Sequence, residues 1–352
     1  MKKFLSIFLS VIMLLSLVSC GNNPSEPNSV QTDNTQDSAN LPTDGENAGA
    51  DQGEFVPVDI TVASLKGPTT MGMVSLMDKS ENSLTEGKYN VSIYGTADEL
   101  VPLIVSGKVD IANVPCNLAS VLYQKTEGKI SVLGINTLGV LYIVETGDTI
   151  KSVEDLRGKT IYSTGKGTTP EYVLNYILKS AGIDPSTDVT VEFKSEATEV
   201  AAMLENAENA VAVLPQPYVT IAMTKNDKIR IALDLTDEWE KIDGTQLVTG
   251  VTIVRNEFLE NNKDAVLKFM DEYAESVKFV NENNDEAAAL VGKYDIVAEG
   301  VAKKALPYCN IVSVTGDEMK QSIENYLNVL FESDPKSVGG KLPDEAFYYI
   351  EK

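Results

Sequence analysis

The feature that most constrains this chain is a strand–loop–helix unit that recurs along most of its length. The unit begins with VDITVAS, an alternating apolar segment at residues 58–64, passes through turn-rich KGPTTMG and enters a helical stretch around residues 73–78. The same order recurs in NVSIYG with ADELVPLIVSG, in KVDIANVP with NLASVLYQK, and in the pair ISVLGIN and VLYIVET. Such repetition predicts an α/β fold with a largely parallel sheet.

A second set of units follows Asp148 and predicts a second lobe. Its segments are SVEDLRGKTIYS, GKGTTPEYVLNYILKSAG, DVTVEFK, a helix at about 196–205, AVAVLP, PYVTIAMTK and IRIALDL. VTGVTIVR, at residues 248–255, reads as a strand that returns the chain to the first lobe. Helices predicted at about 263–282, 285–293, 298–305 and 316–331 then complete that lobe.

The predicted domain organisation is therefore two lobes joined by two crossings. A chain of 352 residues that is 43% hydrophobic is long enough for two domains of about 150 residues each. We place the first lobe at residues 56–146 and 249–352 and the second lobe at residues 147–248. The crossings are expected near residues 144–149 and 245–250.

The first twenty residues predict export. Lys2 and Lys3 precede an apolar run that is too short for a comfortable membrane span, and the run ends in LVSC. This pattern resembles a bacterial lipobox, which implies that Cys20 is acylated and becomes the mature N-terminus; an ordinary secretory leader is the alternative. Residues 21–55 are polar, with seven acidic residues and no basic one between 21 and 54, and predict a disordered acidic tether.

Composition excludes several function classes. The formal net charge of −23 and the pI near 4.4 argue against binding nucleic acid through its phosphates. The chain has no histidine, so Ser-His-Asp and Cys-His catalysis are excluded. Beyond Cys20 only Cys116 and Cys309 remain, too few for a zinc cluster, and whether these two pair is left open. We expect no cofactor, no metal and a monomer.

Three segments carry a resemblance to a known family. SVEDLRGKTIYSTGKGTTPEYVLNYILKSAGID, AVAVLPQPYVTIA and VTGVTIVRNEFLENNKDAVLKFMDEYAESVKFV resemble the solute-binding proteins of ABC importers, in the branch for nitrate, sulfonates, taurine and thiamine precursors. The resemblance covers about residues 57–332. It implies a type II periplasmic-binding fold and a lipoprotein on the outer face of the cytoplasmic membrane. Such a protein would deliver a small anionic or polar organic solute to an ABC permease and its ATPase.

The predicted solute site lies in the loops at the carboxyl ends of strands, which meet in a crevice in open α/β sheets. In the first lobe the candidate residues are Lys66, Gly67, Pro68, Thr69, Thr70, Tyr94, Gly95, Asn113, Cys116, Asn117 and Gly139. In the second lobe they are Thr164, Gly165, Gly167, Thr168, Thr169, Gln216 and Tyr218.

Of these loops, the one at residues 164–169 carries the most signal. Two glycines let the backbone approach a ligand, and Thr168 and Thr169 can cap the helix that Pro170 begins, so the loop predicts a nest for an anion or a carbonyl. A capped turn without a ligand is the alternative, and the GxxxxGK[ST] spacing of nucleotide loops is absent. Relatives often carry an acidic residue in place of Gln216, which weakens the case for a cationic solute.

Several side chains allow more than one interpretation. Cys116 reads as a small buried filler rather than a reactive thiol, and the lone Trp239 as cover for the surface of the second lobe. An enzyme on the same scaffold would use carboxylates such as Asp110 or Glu171 with Lys66 or Lys166. A sensory receptor that docks on a membrane partner shares the same predicted cleft.

Overall fold

The structure, a computed structural model, describes residues 57–351. The predicted signal peptide, the predicted lipidation site Cys20 and the predicted tether lie outside the described residues. The strands are β1 (Asp59–Leu65), β2 (Lys88–Tyr94), β3 (Ile111–Pro115), β4 (Ile130–Leu138), β5 (Leu141–Thr146), β6 (Thr160–Ser163), β7 (Thr190–Phe193), β8 (Val211–Pro215), β9 (Ile229–Asp234), β10 (Val248–Arg255) and β11 (Ile311–Val314).

Thirteen α-helices alternate with these strands within the described residues. They are α1 (Pro68–Met71), α2 (Val74–Glu81), α3 (Ala97–Val105), α4 (Cys116–Lys125), α5 (Thr169–Ser180), α6 (Ala197–Leu204), α7 (Tyr218–Lys225), α8 (Leu235–Asp243), α9 (Asn256–Asn261), α10 (Lys263–Glu282), α11 (Asn284–Lys293), α12 (Glu299–Ala305) and α13 (Gly316–Ser333). Short 3₁₀ turns occur at Val153–Leu156, Leu306–Tyr308, Pro335–Val338 and Glu345–Phe347.

The strands form two separate sheets. The first has the order β11-β4-β10-β3-β1-β2 and the second the order β7-β6-β8-β5-β9. Strands β1 to β4 run in one direction, and β10 and β11 run against them. Strands β6 to β9 likewise share a direction, and β5 opposes them. We call each sheet with its helices a lobe, and the edge where the codirectional strands end its carboxyl edge.

Two of the three reversed strands, β5 and β10, mark the crossings between the lobes. β5 and β10 each begin at the carboxyl edge of the sheet that they enter, where Leu141 pairs with Pro215 and Gly250 pairs with Pro115. A strand that enters from this edge must run against the strands that end there. The prediction of a largely parallel sheet therefore holds for the units within each lobe but not for these entering strands.

The predicted first crossing, near residues 144–149, is wrong. Leu141–Thr146, assigned from the sequence to the first lobe, pairs with β8 and β9 and belongs to the second sheet. The chain therefore crosses between Leu138 and Leu141. Both β4 and β5 are almost entirely buried and mainly apolar, so hydropathy gave no signal for the sheet that each one joins. The chain returns to the first sheet at Val248.

Helix α10 shows why the predicted C-terminal helices form and where they pack. Its residues Val266, Phe269, Tyr273, Val277 and Val280 are buried, and their spacing of three and four residues makes one apolar stripe. This stripe packs in the core with α1, α2, α11 and α12 on one face of the first sheet. The opposite face packs with α3, α4 and α13 in a core that continues into the second lobe.

Trp239 is part of that continuous core. The side chain is fully buried, and its ring lies 4.6 Å from the ring of Tyr176 and 5.4 Å from that of Tyr326, measured between centroids. The prediction that it covers the surface of the second lobe is therefore wrong. Leu235 and Trp239, four residues apart, are the buried side of the otherwise acidic helix α8, a helix that the sequence pattern did not predict.

Cys116 and Cys309 are both free thiols and both fully buried. Burial raises the pKa of each thiol, that of Cys309 to about 12, so neither is a reactive thiolate near neutral pH. The open question of pairing is answered, and the interpretation of Cys116 as a buried filler is confirmed. Among residues 57–351 no helix has the length and apolar character that crossing a bilayer requires.

Candidate functional site

The carboxyl edges of the two sheets face each other. The side-chain amide of Asn117, just after β3, lies 3.5 Å from the carbonyl oxygen of Gly167, just after β6. A Cβ placed on Gly95, just after β2, would lie 3.2 Å from a carboxylate oxygen of Glu196, just after β7. The structure therefore brings the predicted loops of both lobes to one shared region, as expected from the rule that strand ends form the crevice.

The loop after β1 is closed by its own hydroxyl groups. The hydroxyls of Thr69 and Thr70 both donate to the carbonyl oxygen of Leu65, at 2.8 and 2.5 Å. Gly67 has a φ of +136°, which only glycine adopts readily, and the turn continues into Pro68 at the start of α1. Lys66 is half-buried, and its backbone N–H donates to the carbonyl oxygen of Tyr94 at 2.8 Å, which ties two candidate loops together.

Asn113 is a supporting residue of this edge. It is fully buried, and its amide nitrogen donates to the hydroxyl of Ser64 at 3.3 Å and to the carbonyl oxygen of Thr69 at 3.1 Å. Its amide oxygen accepts from the hydroxyl of Thr252 at 2.8 Å. Both ends of the amide are engaged within the protein, so in this conformation Asn113 holds the loop after β1 rather than presenting its amide to a solute.

The loop at residues 164–169 differs from a simple anion nest. Gly165 and Gly167 both have left-handed φ values, +69° and +76°. However, the carboxylate of Glu171 accepts a hydrogen bond from the N–H of Gly167 at 2.5 Å, so the chain's own anion already occupies one donor. Glu171 therefore satisfies one donor of the loop internally, and a nest for a solute anion stays a prediction.

The predicted capping by two threonines is wrong. The hydroxyl of Thr168 donates to the carbonyl oxygen of Gly165 at 2.7 Å and caps no N–H of α5. The left-handed turn at Gly165 brings that carbonyl within reach, and the hydroxyl that turns toward it does not accept an N–H of α5 as a cap would. The hydroxyl of Thr169 instead donates to the amide oxygen of Asn117 at 3.3 Å, across to the first lobe.

Gln216 directly follows β8, and Tyr218 begins α7. The amide oxygen of Gln216 accepts from the hydroxyl of Thr220 at 2.9 Å, and its backbone N–H donates to the carbonyl oxygen of Val140 at 3.0 Å. Burial raises the pKa of Tyr218 to about 12, and the nearby negative charge of Glu196 adds to the shift. Tyr218 is therefore a neutral phenol, and a hydrogen-bond donor, at physiological pH.

Two strand ends were left out of the predicted site. Glu196 follows β7, and Asp234 ends β9, where its carboxylate accepts from the N–H of Thr236 at 2.9 Å and caps α8. Thr236 packs so closely on Gly139 that a Cβ there would lie 2.1 Å from its hydroxyl, which explains the glycine at the first crossing. The rule used for the other strand ends, applied to β7 and β9, would have found these positions.

Two lysine ammonium groups at the carboxyl edge of the second lobe lie over aromatic rings. The ammonium of Lys166 is 5.9 Å from the ring centroid of Phe193, and that of Lys194 is 5.5 Å from the ring of Tyr162. Lys194 also pairs with Glu192 at 3.3 Å. Such stacking holds the ammonium groups at the rim while leaving their charge near solvent.

Asp110, one of the residues considered for an enzyme, lies far from the candidate site. Asp110 precedes β3 and lies at the opposite, amino edge of the first sheet, where it accepts from Thr61 N–H at 3.0 Å and pairs with Arg255 at 2.9 Å. The five residues of β3, about 16 Å of strand, separate it from the carboxyl edge that holds Lys66. No group of three or more metal-ligating side chains occurs among residues 57–351.

A cavity of about 880 Å³ also opens at this amino edge, lined in part by Ile104, Lys129 and Arg255. Its basic and acidic side chains are mixed, and no loops from the second lobe reach it. Volume alone is therefore a poorer guide to the functional site here than the convergence of strand ends.

The fold and its facing loops define a two-lobed binding-protein architecture. The chain is similar to the solved structure of an ABC transporter protein from Parabacteroides distasonis, with a TM-score of 0.68 and 25% identity over 83% of this chain and 99% of that one. It is also similar to the alkanesulfonate-binding protein from Xanthomonas axonopodis pv. citri bound to MOPS, with a TM-score of 0.65 and 13% identity over 83% and 96%. The predicted type II periplasmic-binding fold is confirmed.

The family follows from the sequence match. The NMT1/THI5-like family model matches residues 90–287, more than half of the chain, and the chain belongs to this family. A Bacillus subtilis (strain 168) protein named for binding aliphatic sulfonates is 29% identical over 185 residues, which are 51% of this chain and 52% of that protein. The chain thus spans about half the length of this curated relative. The predicted resemblance to solute-binding proteins of ABC importers is confirmed.

Proposed function

We propose that this chain is an extracytoplasmic solute-binding lipoprotein that captures a small anionic or polar organic solute between its lobes and delivers it to an ABC import permease. Acylated Cys20 would hold it at the outer face of the cytoplasmic membrane, and the ATPase of the importer would lie on the cytoplasmic side. The observation that carries this proposal is that strand-end loops of both lobes converge on one region, with a hydrogen bond across it at Asn117 and a close approach at Gly95.

Binding fits this region better than catalysis does. The fully or nearly fully buried polar side chains of the two carboxyl edges are uncharged alcohols and amides, among them Asn113, Thr169 and Gln216. Such groups hold the surrounding loops in place and cannot exchange protons near neutral pH. The edges therefore supply directional hydrogen bonds without an activated nucleophile and its base.

Three lysines at the carboxyl edges support an anionic solute. Lys66, Lys166 and Lys194 bring ammonium groups to the carboxyl edges, and Gln216 is a neutral amide. Within the described residues, no side-chain hydrogen bond engages the hydroxyls of Tyr94 and Tyr218, which leaves them as donors for a solute. Sulfonates are a natural first class to test, because two similar proteins are named for binding them.

The test is a thermal-shift and calorimetric screen of the purified full-length chain. The panel holds methanesulfonate, taurine, MOPS and nitrate, with glucose and putrescine as uncharged and cationic controls. A solute at one hundred times its Kd should stabilise the fold by about 2.7 kcal/mol. A preference for putrescine, or turnover of any bound compound, would contradict the proposal.

The anchor is tested separately. Cys20→Ala should abolish incorporation of labelled palmitate and release the chain from the membrane fraction, while solute affinity stays unchanged. Cys116→Ala is the matched control. It should leave palmitate labelling unchanged, because that thiol is fully buried in the first lobe.

A further inference from the structure

Asn117 makes a buried polar contact between the lobes. It lies in the first turn of α4, in the first lobe, and is fully buried. Its amide nitrogen donates to the carbonyl oxygen of Ser337 at 3.0 Å and to that of Gly167 at 3.5 Å, and its amide oxygen accepts from the hydroxyl of Thr169 at 3.3 Å. One amide thus joins the C-terminal 3₁₀ turn of the first lobe to the candidate anion loop of the second.

Apart from the exposed Gly167, the groups of this contact are closed to solvent. Thr169 and Ser337 are buried, and so is Tyr326 on α13, whose hydroxyl lies beside Thr169. Trp239, from the second lobe, packs against the Tyr326 ring. We call Asn117, Thr169, Tyr326 and Ser337 the polar junction. A solute cannot reach its atoms while the lobes keep this arrangement.

The hydrogen bonds of the polar junction are unequal. The bond from Asn117 to Ser337 stays within the first lobe and has an ordinary length, whereas the two bonds that cross to the second lobe are long and therefore weak. The hydroxyl oxygen of Ser337 is buried beside them and has no hydrogen-bond partner. If the second lobe rotates away, this hydroxyl can form a hydrogen bond with the part of the Asn117 amide that Thr169 or Gly167 no longer engages.

We infer that the polar junction is a positioning device, in which Asn117 and Thr169 set the balance between two arrangements of the lobes without touching the solute. An apolar contact of the same shape would pack at least as well, because buried polar groups gain little net stability. The polar contact lets Asn117 exchange one set of hydrogen-bond partners for another. Its consequence for solute affinity rests on the proposed function, because the candidate loop at residues 164–168 leads directly into Thr169 at the start of α5.

The decisive comparison is between two buried hydroxyls. Thr169→Val keeps the shape of the side chain and removes the bond to Asn117 across the lobes. Ser120→Ala removes a buried hydroxyl on α4, the helix that also carries Asn117. This hydroxyl donates to the carbonyl oxygen of Val338 at 2.8 Å, a bond within the first lobe. Both variants lose one buried hydrogen bond, but only the first should change how the lobes are arranged.

The readouts need no solute, so they are independent of the proposed function. Trp239 is the only tryptophan of the chain, and its quenching by acrylamide reports access to the contact between the lobes. Small-angle scattering of the full-length chain reports the separation of the lobes. Loss of one such bond should change the ratio of the two arrangements by about fivefold in Thr169→Val, and Thr169→Ser should restore it.

Equal quenching and equal scattering profiles in folded Thr169→Val and Ser120→Ala would overturn the inference and leave the junction as ordinary packing. If Thr169→Val does not fold, Asn117→Ala removes the same bond from the other lobe and is compared with Ser120→Ala in the same way. A change in Thr169→Val that Thr169→Ser fails to reverse would also overturn it, because the hydroxyl would then not be the cause.

Discussion

At Gly165 the backbone and its surroundings both require a residue without a side chain. Its φ is +69°, and a Cβ would lie 2.6 Å from the hydroxyl of Thr168 and 3.0 Å from the ring of Pro170. Gly167, two residues on, has a similar φ of +76° but nothing within 4 Å of a Cβ. The two glycines therefore separate the cost of the dihedral angle from the cost of the clash.

We expect Gly167→Ala to lower the free energy of unfolding by about 1–2 kcal/mol, the cost of a left-handed alanine. Gly165→Ala should lower it by about 2–4 kcal/mol, because the clash adds to that cost. Urea unfolding followed by circular dichroism measures both. Equal losses in the two variants would show that the loop relaxes around the new methyl group.

Glu145 is a buried carboxylate of β5 whose charge is held by four hydrogen bonds. Burial alone would raise its pKa, but hydrogen bonds from Ile150 N–H, from the N–H and hydroxyl of Thr149 and from Arg230 outweigh it, and the pKa is lowered from 4.5. A lowered pKa in the folded state means that Glu145 stabilises the fold above about pH 4.5 and that this contribution is lost as the pH falls further.

Glu145→Gln should therefore destabilise the fold by about 2 kcal/mol near neutral pH and by progressively less below the ordinary carboxyl range. The measurement is the urea midpoint as a function of pH. Glu205→Gln is the control, since its exposed ion pair with Lys225 should change stability by less than about 0.5 kcal/mol at any pH. A loss in Glu145→Gln that does not depend on pH would contradict the assigned role of the charge.

At the scale of elements, α8 depends on two apolar residues for its attachment. Leu235 and Trp239 are fully buried, while the helix is otherwise rich in acidic side chains. Its ends are well specified locally, because Asp234 caps the first turn and Gly244 takes the left-handed conformation after the last. Local signals thus define the helix, and the aromatic contact with α5 and α13 defines where it lies.

Trp239→Ala should cost about 3–5 kcal/mol, through lost apolar burial and the cavity left between Tyr176 and Tyr326. Because the variant has no tryptophan, its unfolding is followed by far-ultraviolet circular dichroism. The neighbouring exposed residue gives the control: Glu240→Ala should stay within about 0.5 kcal/mol of the parent chain. A small loss in Trp239→Ala would mean that α13 and α5 close the cavity.

At the scale of the whole molecule, Gly95 lies where the two lobes approach each other. Its backbone φ is outside the left-handed region, so a side chain is tolerated by the backbone, but a Cβ would meet the carboxylate of Glu196 from the second lobe. A large residue at this position should hold the carboxyl edges apart. Solute capture by closure of two lobes requires these edges to approach.

Gly95→Leu should increase the radius of gyration in solution scattering and weaken binding of a solute found in the screen by more than about tenfold. Stability should change by less than about 1 kcal/mol, because the new side chain meets the other lobe and not a core. Adding Glu196→Ala should recover much of the affinity by making room. Unchanged scattering and affinity in Gly95→Leu would mean that closure does not bring these two positions together.

Much of the fold was predictable, because the signals for strands and helices are local. Apolar alternation located β1, β3 and β10, and a spacing of three and four residues located α10 with its bounds. Most of the candidate loops were predictable for a related reason: once strand directions are known, strand ends must lie at one edge. Glu196 and Asp234 were missed through incomplete use of that rule.

What the sequence by itself determined is therefore most of the elements, the α/β class and the edge at which a site can form, all of which follow from short-range periodicity. Only the tertiary structure decided which sheet β5 joins and that Trp239 is buried. It also decided that the side-chain amides of Asn113 and Asn117 form hydrogen bonds within the protein. The physical reason is that each of these outcomes depends on partners far away in the chain. A buried strand can pair with either sheet, and an amide binds whichever donors and acceptors folding brings to it.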